Sequence, residues 1–365
     1  MTDRLSTLLH DEAAALDVPA ADAATVLHRG RAVRRRRRTA RIAGTGAVAA
    51  GLAVAATLVA VSRGDTPRTV EPADPEPHPV ADTGVTFSVG TTLWYDDATR
   101  SVQVPDAAVK SLYYTSAGVL VRHGDNGYSD GGGEQRFSLV TPDGEIRPVG
   151  VVTEEVAHTT DPTQPYLAWT QSVDGVAELV VHDVSTDQEV ARVALPDLDT
   201  DGFQQTVLTG DTAYVSSGDE SVRVSWRNGE TESLDEVITE VGGEHALVDG
   251  SVIDLASGLT VYRPRQRDVW LDLSPDGHYL LIGREVSTRT SFSVVDLDEQ
   301  RGAVRLAGPT PYTWTAGSVL ASVSVGEVAV CAPDTGVCAA SLKDFGMDEQ
   351  EFRAGLRLGG ATYES

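Results

Sequence analysis

A short β-rich run, a turn of Asp, Gly, Asn, Pro or Ser, and a second short β-rich run recur seven times along the chain after Val85. The copies are LWYDDATRSVQV around Ala98, FSLVTPDGEIRPV around Asp143, ELVVHDVSTDQEVARV around Asp187, VRVSWRNGETESL around Asn228, SVIDLASGLTVY around Ser257, FSVVDLDEQRGAVRL around Gln300 and VAVCAPDTGVCAAS around Thr335. Successive turns lie 45, 44, 41, 29, 43 and 35 residues apart, and a period near 40 with several strands in each is the mark of a propeller blade. Between the hairpins, Tyr166 to Gln171, Ala213 to Ser216, Tyr279 to Gly283 and Val319 to Val325 read as the inner strands of four-stranded blades. The expected fold class is all-β, a seven-bladed β-propeller over residues 84–365. Its first unit, Val85 to Pro105, has room for only three strands, while the segment from Asp344 to Ser365 belongs to no unit. Part of Phe352 to Leu358 is therefore expected to return and pair within the first blade, covering two edges that would otherwise stay open.

Ahead of the propeller stands Ile42–Ser62, a run of 21 residues without a charge, long enough as a helix to cross a hydrocarbon core of about 30 Å. Residues 1–41 carry nine Arg against five acidic residues and read as short helices around Leu5 to Leu16 and from Ala20 onward. Arg34 to Arg38 and Arg41 sit immediately before the apolar run, where basic residues hold a segment on the cytoplasmic side. The competing reading is a cleaved signal peptide. Two features favour an uncleaved anchor: the long region ahead of the run, and a run longer than the usual 7 to about 15 residues. Residues 63–83 hold five prolines and almost nothing apolar, and so form an extended spacer. The expected order is a cytoplasmic Arg-rich segment 1–41, a transmembrane helix 42–62, a linker 63–83 and an extracytoplasmic propeller.

The formal net charge of −25 divides sharply, since residues 42–365 keep 20 basic and 49 acidic residues. Such a domain repels nucleic acid and anionic lipid, and topology already accounts for the arginine block. Lys110 and Lys343 are the only lysines, a bias that points to a high-GC bacterial genome.

LDLSPDGHYLLIG, Leu271 to Gly283, resembles the WD40-like (PD40) repeat of TolB-type bacterial propellers. Pro275 presets φ for the first central position of a type I turn, Asp276 tolerates the next and Gly277 completes it. Anchor, linker and repeats together make the chain similar to the membrane-anchored WD40-like propeller proteins of high-GC Gram-positive bacteria. The resemblance implies a fold and a topology, and it transfers no catalytic motif.

No nucleophile elbow, zincin, Walker or dinucleotide-binding pattern occurs. His123, His158, His182, His245 and His278 are spread through separate units and read as solvated strand-end residues. Trp94, Trp169, Trp226, Trp270 and Trp314 fall mostly inside strand runs and read as core or inter-blade packing. Asp197, Asp199 and Asp201, in PDLDTDGF, alternate before Gly202 as in the first half of a calcium loop, so Ca²⁺ is the expected metal there. The twelfth position is Leu208 where a bidentate Glu would stand, so any closing carboxylate must come from elsewhere. Cys331 and Cys338 face one another across a four-residue turn, Pro333 to Gly336, at an expected Cα separation of about 4.5 to 5.5 Å, and are expected to form a disulfide.

The function expected is that of an extracytoplasmic binding or scaffold module for an unidentified protein or small ligand. One alternative is a transmembrane regulator whose residues 1–41 dock a cytoplasmic partner such as a sigma factor. Another is a hydrolase or lyase at the propeller's central funnel.

Overall fold

The computed structural model describes residues 81–361 except 82, 128–132, 155, 201, 267, 287–288, 300–301 and 308–310. The Arg-rich segment, the apolar run 42–62 and nearly all of the spacer lie outside the described residues. Among those described, no helix is long and apolar enough to cross a membrane.

Seven four-stranded antiparallel sheets follow one another around a ring. Blade 1 contains β1 (Phe87–Val89), β2 (Thr92–Tyr95) and β3 (Arg100–Gln103). Blade 2 is β4 (Ala108–Thr115), β5 (Gly118–Gly124), β6 (Gln135–Val140) and β7 (Ile146–Thr153). Blade 3 is β8 (His158–Thr160), β9 (Tyr166–Val173), β10 (Val176–Asp183) and β11 (Gln188–Leu195). Blade 4 is β12 (Gln204–Thr209), β13 (Thr212–Ser217), β14 (Glu220–Ser225) and β15 (Glu230–Leu234). Blade 5 is β16 (Ile238–Gly242), β17 (His245–Val248), β18 (Ser251–Asp254) and β19 (Thr260–Tyr262). Blade 6 is β20 (Val269–Leu273), β21 (Tyr279–Val286), β22 (Arg289–Asp296) and β23 (Val304–Arg305). Blade 7 is β24 (Tyr312–Trp314), β25 (Leu320–Ser324), β26 (Glu327–Cys331) and β27 (Cys338–Leu342). A short helix α1 (Glu349–Gly355) and β28 (Leu356–Leu358) end the described chain.

The seven hairpins legible in the sequence are the outer strand pair of each blade, from β2–β3 to β26–β27. The stretches read as inner strands lie inside their blades. Tyr166–Gln171, Ala213–Ser216, Tyr279–Gly283 and Val319–Val325 fall in β9, β13, β21 and β25, each second in its sheet, and β8, β12, β20 and β24 line the axis. These innermost strands are short and partly polar, and so lack the long apolar signature by which strands are recognised.

Blades stack face to face, so second strands are mostly buried and outermost strands mostly exposed. All of β5 is buried, whereas β27 is exposed beyond Cys338. The hydrophobic core is therefore distributed over the seven inter-blade seams. Tyr166, Leu179 and Trp226 pack between blades 3 and 4, Leu120, Phe137 and Trp169 between 2 and 3, and Leu281, Phe292 and Trp314 between 6 and 7.

The ring closes as expected. Strand β28 pairs antiparallel with β1, Phe87 opposite Leu358 and Val89 opposite Leu356, so the end of the chain supplies the innermost strand of blade 1. Asp348 caps α1 by accepting the Glu351 amide at 2.8 Å, which seats Phe352 under the closing strand. Phe352 is buried beside Phe345, their ring centroids 5.2 Å apart, and Phe345 packs edge-on against Phe87.

Candidate functional site

Each innermost strand has a sheet partner on one side only, so seven backbone edges turn toward the axis, that of β4 bridged at Leu112 by Gly359. They enclose a cavity of about 310 Å³ whose walls include Tyr113, His158, Phe203, Glu240, Asp272 and Trp314. Phe203 is more than half exposed at the start of β12. Asp161, Glu240 and Asp272 bring three carboxyls to the wall, and among the described lining residues there is neither Lys nor Arg.

The three carboxyls differ in their partners. Asp161 Oδ1 accepts the Thr163 amide and hydroxyl at 2.8 and 2.7 Å, and its Oδ2 accepts the Gly210 amide at 2.7 Å. That carboxylate is saturated and ties blade 3 to blade 4. Glu240 on β16 and Asp272 on β20 instead share a hydrogen bond across the seam of blades 5 and 6. Glu240 Oε1 also accepts the Leu273 amide at 2.8 Å. Burial pushes both groups up, Glu240 well above the ordinary carboxyl range because the Asp272 charge lies beside it. Asp272 rises to about 6 from the same cause, against the opposing hydrogen bond from Glu240. Two carboxyls this close cannot both ionise cheaply, so as they titrate they pass through a state that shares one proton, Glu240 donating and Asp272 accepting.

Sequence reasoning passed over this pair because its members stand 32 residues apart in different units. The only signal available was Asp272 itself, a carboxylate set among the apolar residues of VWLDL. That stretch opens the repeat whose SPDG turn closes as expected, with the Gly277 amide donating to the Ser274 carbonyl at 2.8 Å.

The histidines require a correction. They stand at strand ends, but His123, His158 and His182 are buried, and only His278 is exposed. Hydrogen bonds make that burial affordable. His158 Nε2 lies 2.9 Å from Thr153 Oγ1, and His182 Nε2 lies 3.0 Å from Asp187 Oδ1. In blade 2, His123 Nδ1 lies 2.6 Å from Asp106 Oδ2 while its Nε2 lies 2.9 Å from Ser138 Oγ. This has the connectivity of a Ser-His-Asp triad, but Ser138 is 2% exposed, so no substrate carbonyl can reach its hydroxyl. The network holds blade 2 together. Burial alone would raise the Asp106 carboxyl, and hydrogen bonds from Arg136 and His123 outweigh it and hold the group far below the usual range.

Trp169, Trp226 and Trp314 are buried as expected, whereas Trp270 is 42% exposed. Trp270 lies across Gly283, where a Cβ would sit 1.9 Å from its ring, and meets Phe292 edge-on with centroids 5.4 Å apart. Of the calcium-loop residues, Asp197 and Asp199 are exposed and Asp201 lies outside the described residues. The Asp199 amide donates to Glu220 Oε2 at 3.1 Å. Among the described residues no three His, Cys, Asp or Glu side chains are disposed to hold a metal.

Cys331 and Cys338 form the expected disulfide. The neighbouring pair is hydrogen bonded, the Ala332 amide donating to the Val337 carbonyl at 2.9 Å, so the cysteines occupy the narrow, non-hydrogen-bonded position. Their Cα atoms are 4.0 Å apart, closer than the expected 4.5 Å, because the crosslink draws an already narrow pair together.

No family model matches the chain, and no curated protein does. Among solved structures it is similar to TolB from Acinetobacter baumannii, at 14% identity and a TM-score of 0.41 over 61% of this chain and 63% of that one. A prolyl endopeptidase matches at 17% identity and 0.47 over 74% of this chain and 50% of that one. The Cps50 (Swd1) β-propeller domain of Myceliophteria thermophila matches at 10% and 0.44 over 69% and 90%. The chain thus spans less than two thirds of the TolB chain and half of the endopeptidase chain. Likenesses at these levels say nothing of ligand or reaction, and the seven-bladed architecture stands on the strand pairing itself.

Proposed function

We propose that the chain is a single-pass, membrane-anchored propeller that works outside the cytoplasm as a binding module, with the central channel as its ligand site. The observation that carries the binding role is the channel itself. It is a cavity walled by the innermost strands, a few aromatic rings and a proton-sharing carboxyl pair, which is the composition of a recognition site. The one Ser-His-Asp arrangement noted is sealed inside a blade. Support for the address comes from the uncharged run Ile42–Ser62 behind a block of arginines, and from the disulfide, a bond that persists in oxidising compartments.

Reporter fusions after Ser365 test the address, and activity inside the cytoplasm overturns it. Binding is tested by thermal-shift screening of the full chain in detergent against peptides and small metabolites, repeated with Phe203→Glu at the channel wall. Ligands that shift both forms equally do not enter the channel. A second reading is favoured by the length of the segment before the membrane, 41 residues where orientation needs only a few arginines. In this reading residues 1–41 dock a cytoplasmic regulator such as a sigma factor. Pull-down with that segment alone tests it, since a topology tail retains nothing reproducibly.

A further inference from the structure

Beside the side-chain core of Leu247, Leu273 and Leu280, one end of the seam between blades 5 and 6 brings backbone against backbone. The Gly243 amide donates to the Pro275 carbonyl at 3.1 Å, and His245 Nδ1 lies 2.8 Å from the Gly277 carbonyl. A Cβ at Gly242 would lie 2.2 Å from the Ser274 carbonyl oxygen, and one at Gly277 would lie 2.1 Å from that of Gly242. The SPDG turn therefore sits directly on the end of β16, and no bulky side chain separates them. Beside this contact, on the channel wall, the seam is crossed by the Glu240–Asp272 hydrogen bond and by the bond from the Leu273 amide to Glu240.

We propose that Glu240 and Asp272 form a proton-operated latch across this seam, closed while they share a proton and released when both ionise. With one proton present, Glu240 bridges β20 twice, donating to Asp272 and accepting from Leu273. With none, two carboxylates face each other in a partly desolvated wall and their repulsion opposes the glycine contacts beside them. Among the described residues lining the channel there is no Lys or Arg to compensate the two carboxylates. β12 and β24 present no charged side chain, and β16 presents only Glu240. The turn after β20 carries the exposed Asp276, β17 carries His245, and the channel wall at blade 3 adds His158 and Asp161. Arg284 and Glu285 lie exposed at the far end of β21. Both latch groups bind their protons more tightly in the folded chain than in the unfolded one. Their contribution is thus fully present below the ordinary carboxyl range of about 4 and declines as pH rises. Both groups can be ionised together only above the range of Asp272, which burial raises to about 6, so release is expected at higher pH.

The latch is independent of what the channel binds, and its test uses no ligand. Amide hydrogen exchange of the full chain in detergent is followed from pH 5 to 10 after correction for intrinsic rates. Peptides spanning 238–243 and 271–277 report the latch, and peptides spanning 158–163 and 206–210 report the seam of blades 3 and 4 as reference. In the wild type, protection at the latch is expected to fall about tenfold or more above pH 6 relative to the reference, the scale set by a pKa displacement of one unit or more. Glu240→Gln keeps both bonds, its amide donating to Asp272 and its carbonyl accepting from Leu273, and is expected to hold its protection across the range. Parallel loss at both seams in the wild type overturns the proposal, as does a Glu240→Gln chain that loosens like the parent. If that variant does not fold, Asp272→Asn makes the same comparison, its amide donating to Glu240.

Discussion

Phe352→Ala tests the claim that the ring is held shut by the end of the chain. Phe352 is 1% exposed in the cluster that joins blade 7 to blade 1, against Phe345 and beneath β28. Truncating a buried Phe costs about 3 to 5 kcal/mol, from lost transfer energy and the cavity left behind. A domain has only about 5 to 15 kcal/mol in all, so the loss takes a large share of the total. For a chain of this size each kcal/mol moves the midpoint by roughly 2 to 4 °C, which puts the expected fall at about 10 °C. The assay is thermal unfolding of the full chain in detergent, paired with hydrogen exchange. Exchange should rise first in β1 and β28, since β1 is the sheet partner of the closing strand and Phe352 packs beneath the pair. The control is Leu342→Ala on β27, where the side chain is 88% exposed and the change should stay within about 0.5 kcal/mol. A Phe352→Ala chain that melts within 2 °C or so of the parent, or loosens no sooner at β1 than in blade 4, refutes the reasoning.

Deleting Gly346–Ser365 should go further and abolish cooperative unfolding, because it strips β1 of its inner partner and exposes Phe87; a normal melt would show that the ring closes without it. Removing the disulfide with Cys331→Ser and Cys338→Ser should cost about 2.5 kcal/mol on the chain-entropy model for so short a loop, and native thiol labelling of the parent should find no free thiol. Asp106 is held ionised by Arg136 and His123, so its contribution is present above the ordinary carboxyl range and lost as pH falls below about 4. Asp106→Asn should flatten that acid limb and cost about 1.5 to 3 kcal/mol at pH 7, measured by urea titration across pH. If Asp197, Asp199 and Asp201 bind Ca²⁺, millimolar calcium raises the melting temperature over EDTA in the parent and not in Asp199→Ala; equal responses leave the loop a solvated turn.

The blade count, the outer hairpins, the closing return of the chain and the cysteine pair were all legible in the amino-acid sequence. Each depends on short-range signals: alternating apolar residues, turn formers such as Pro275 to Gly277, and two cysteines set either side of a four-residue turn. Such signals survive in one dimension because hairpin partners are neighbours in the chain. The innermost strands carried no comparable signal. A three-residue strand such as His158–Thr160 owes its conformation to the blade it edges and hardly at all to its own side chains. Burial of His123 and His182 was likewise invisible, since each is made tolerable by carboxylates that only folding brings close. The channel is the extreme case. Glu240 and Asp272 belong to different blades, and the one local hint, Asp272 among the apolar residues of VWLDL, does not name its partner. What makes them a proton-sharing pair is the closure of seven blades around one axis, which takes both out of bulk water and places them face to face.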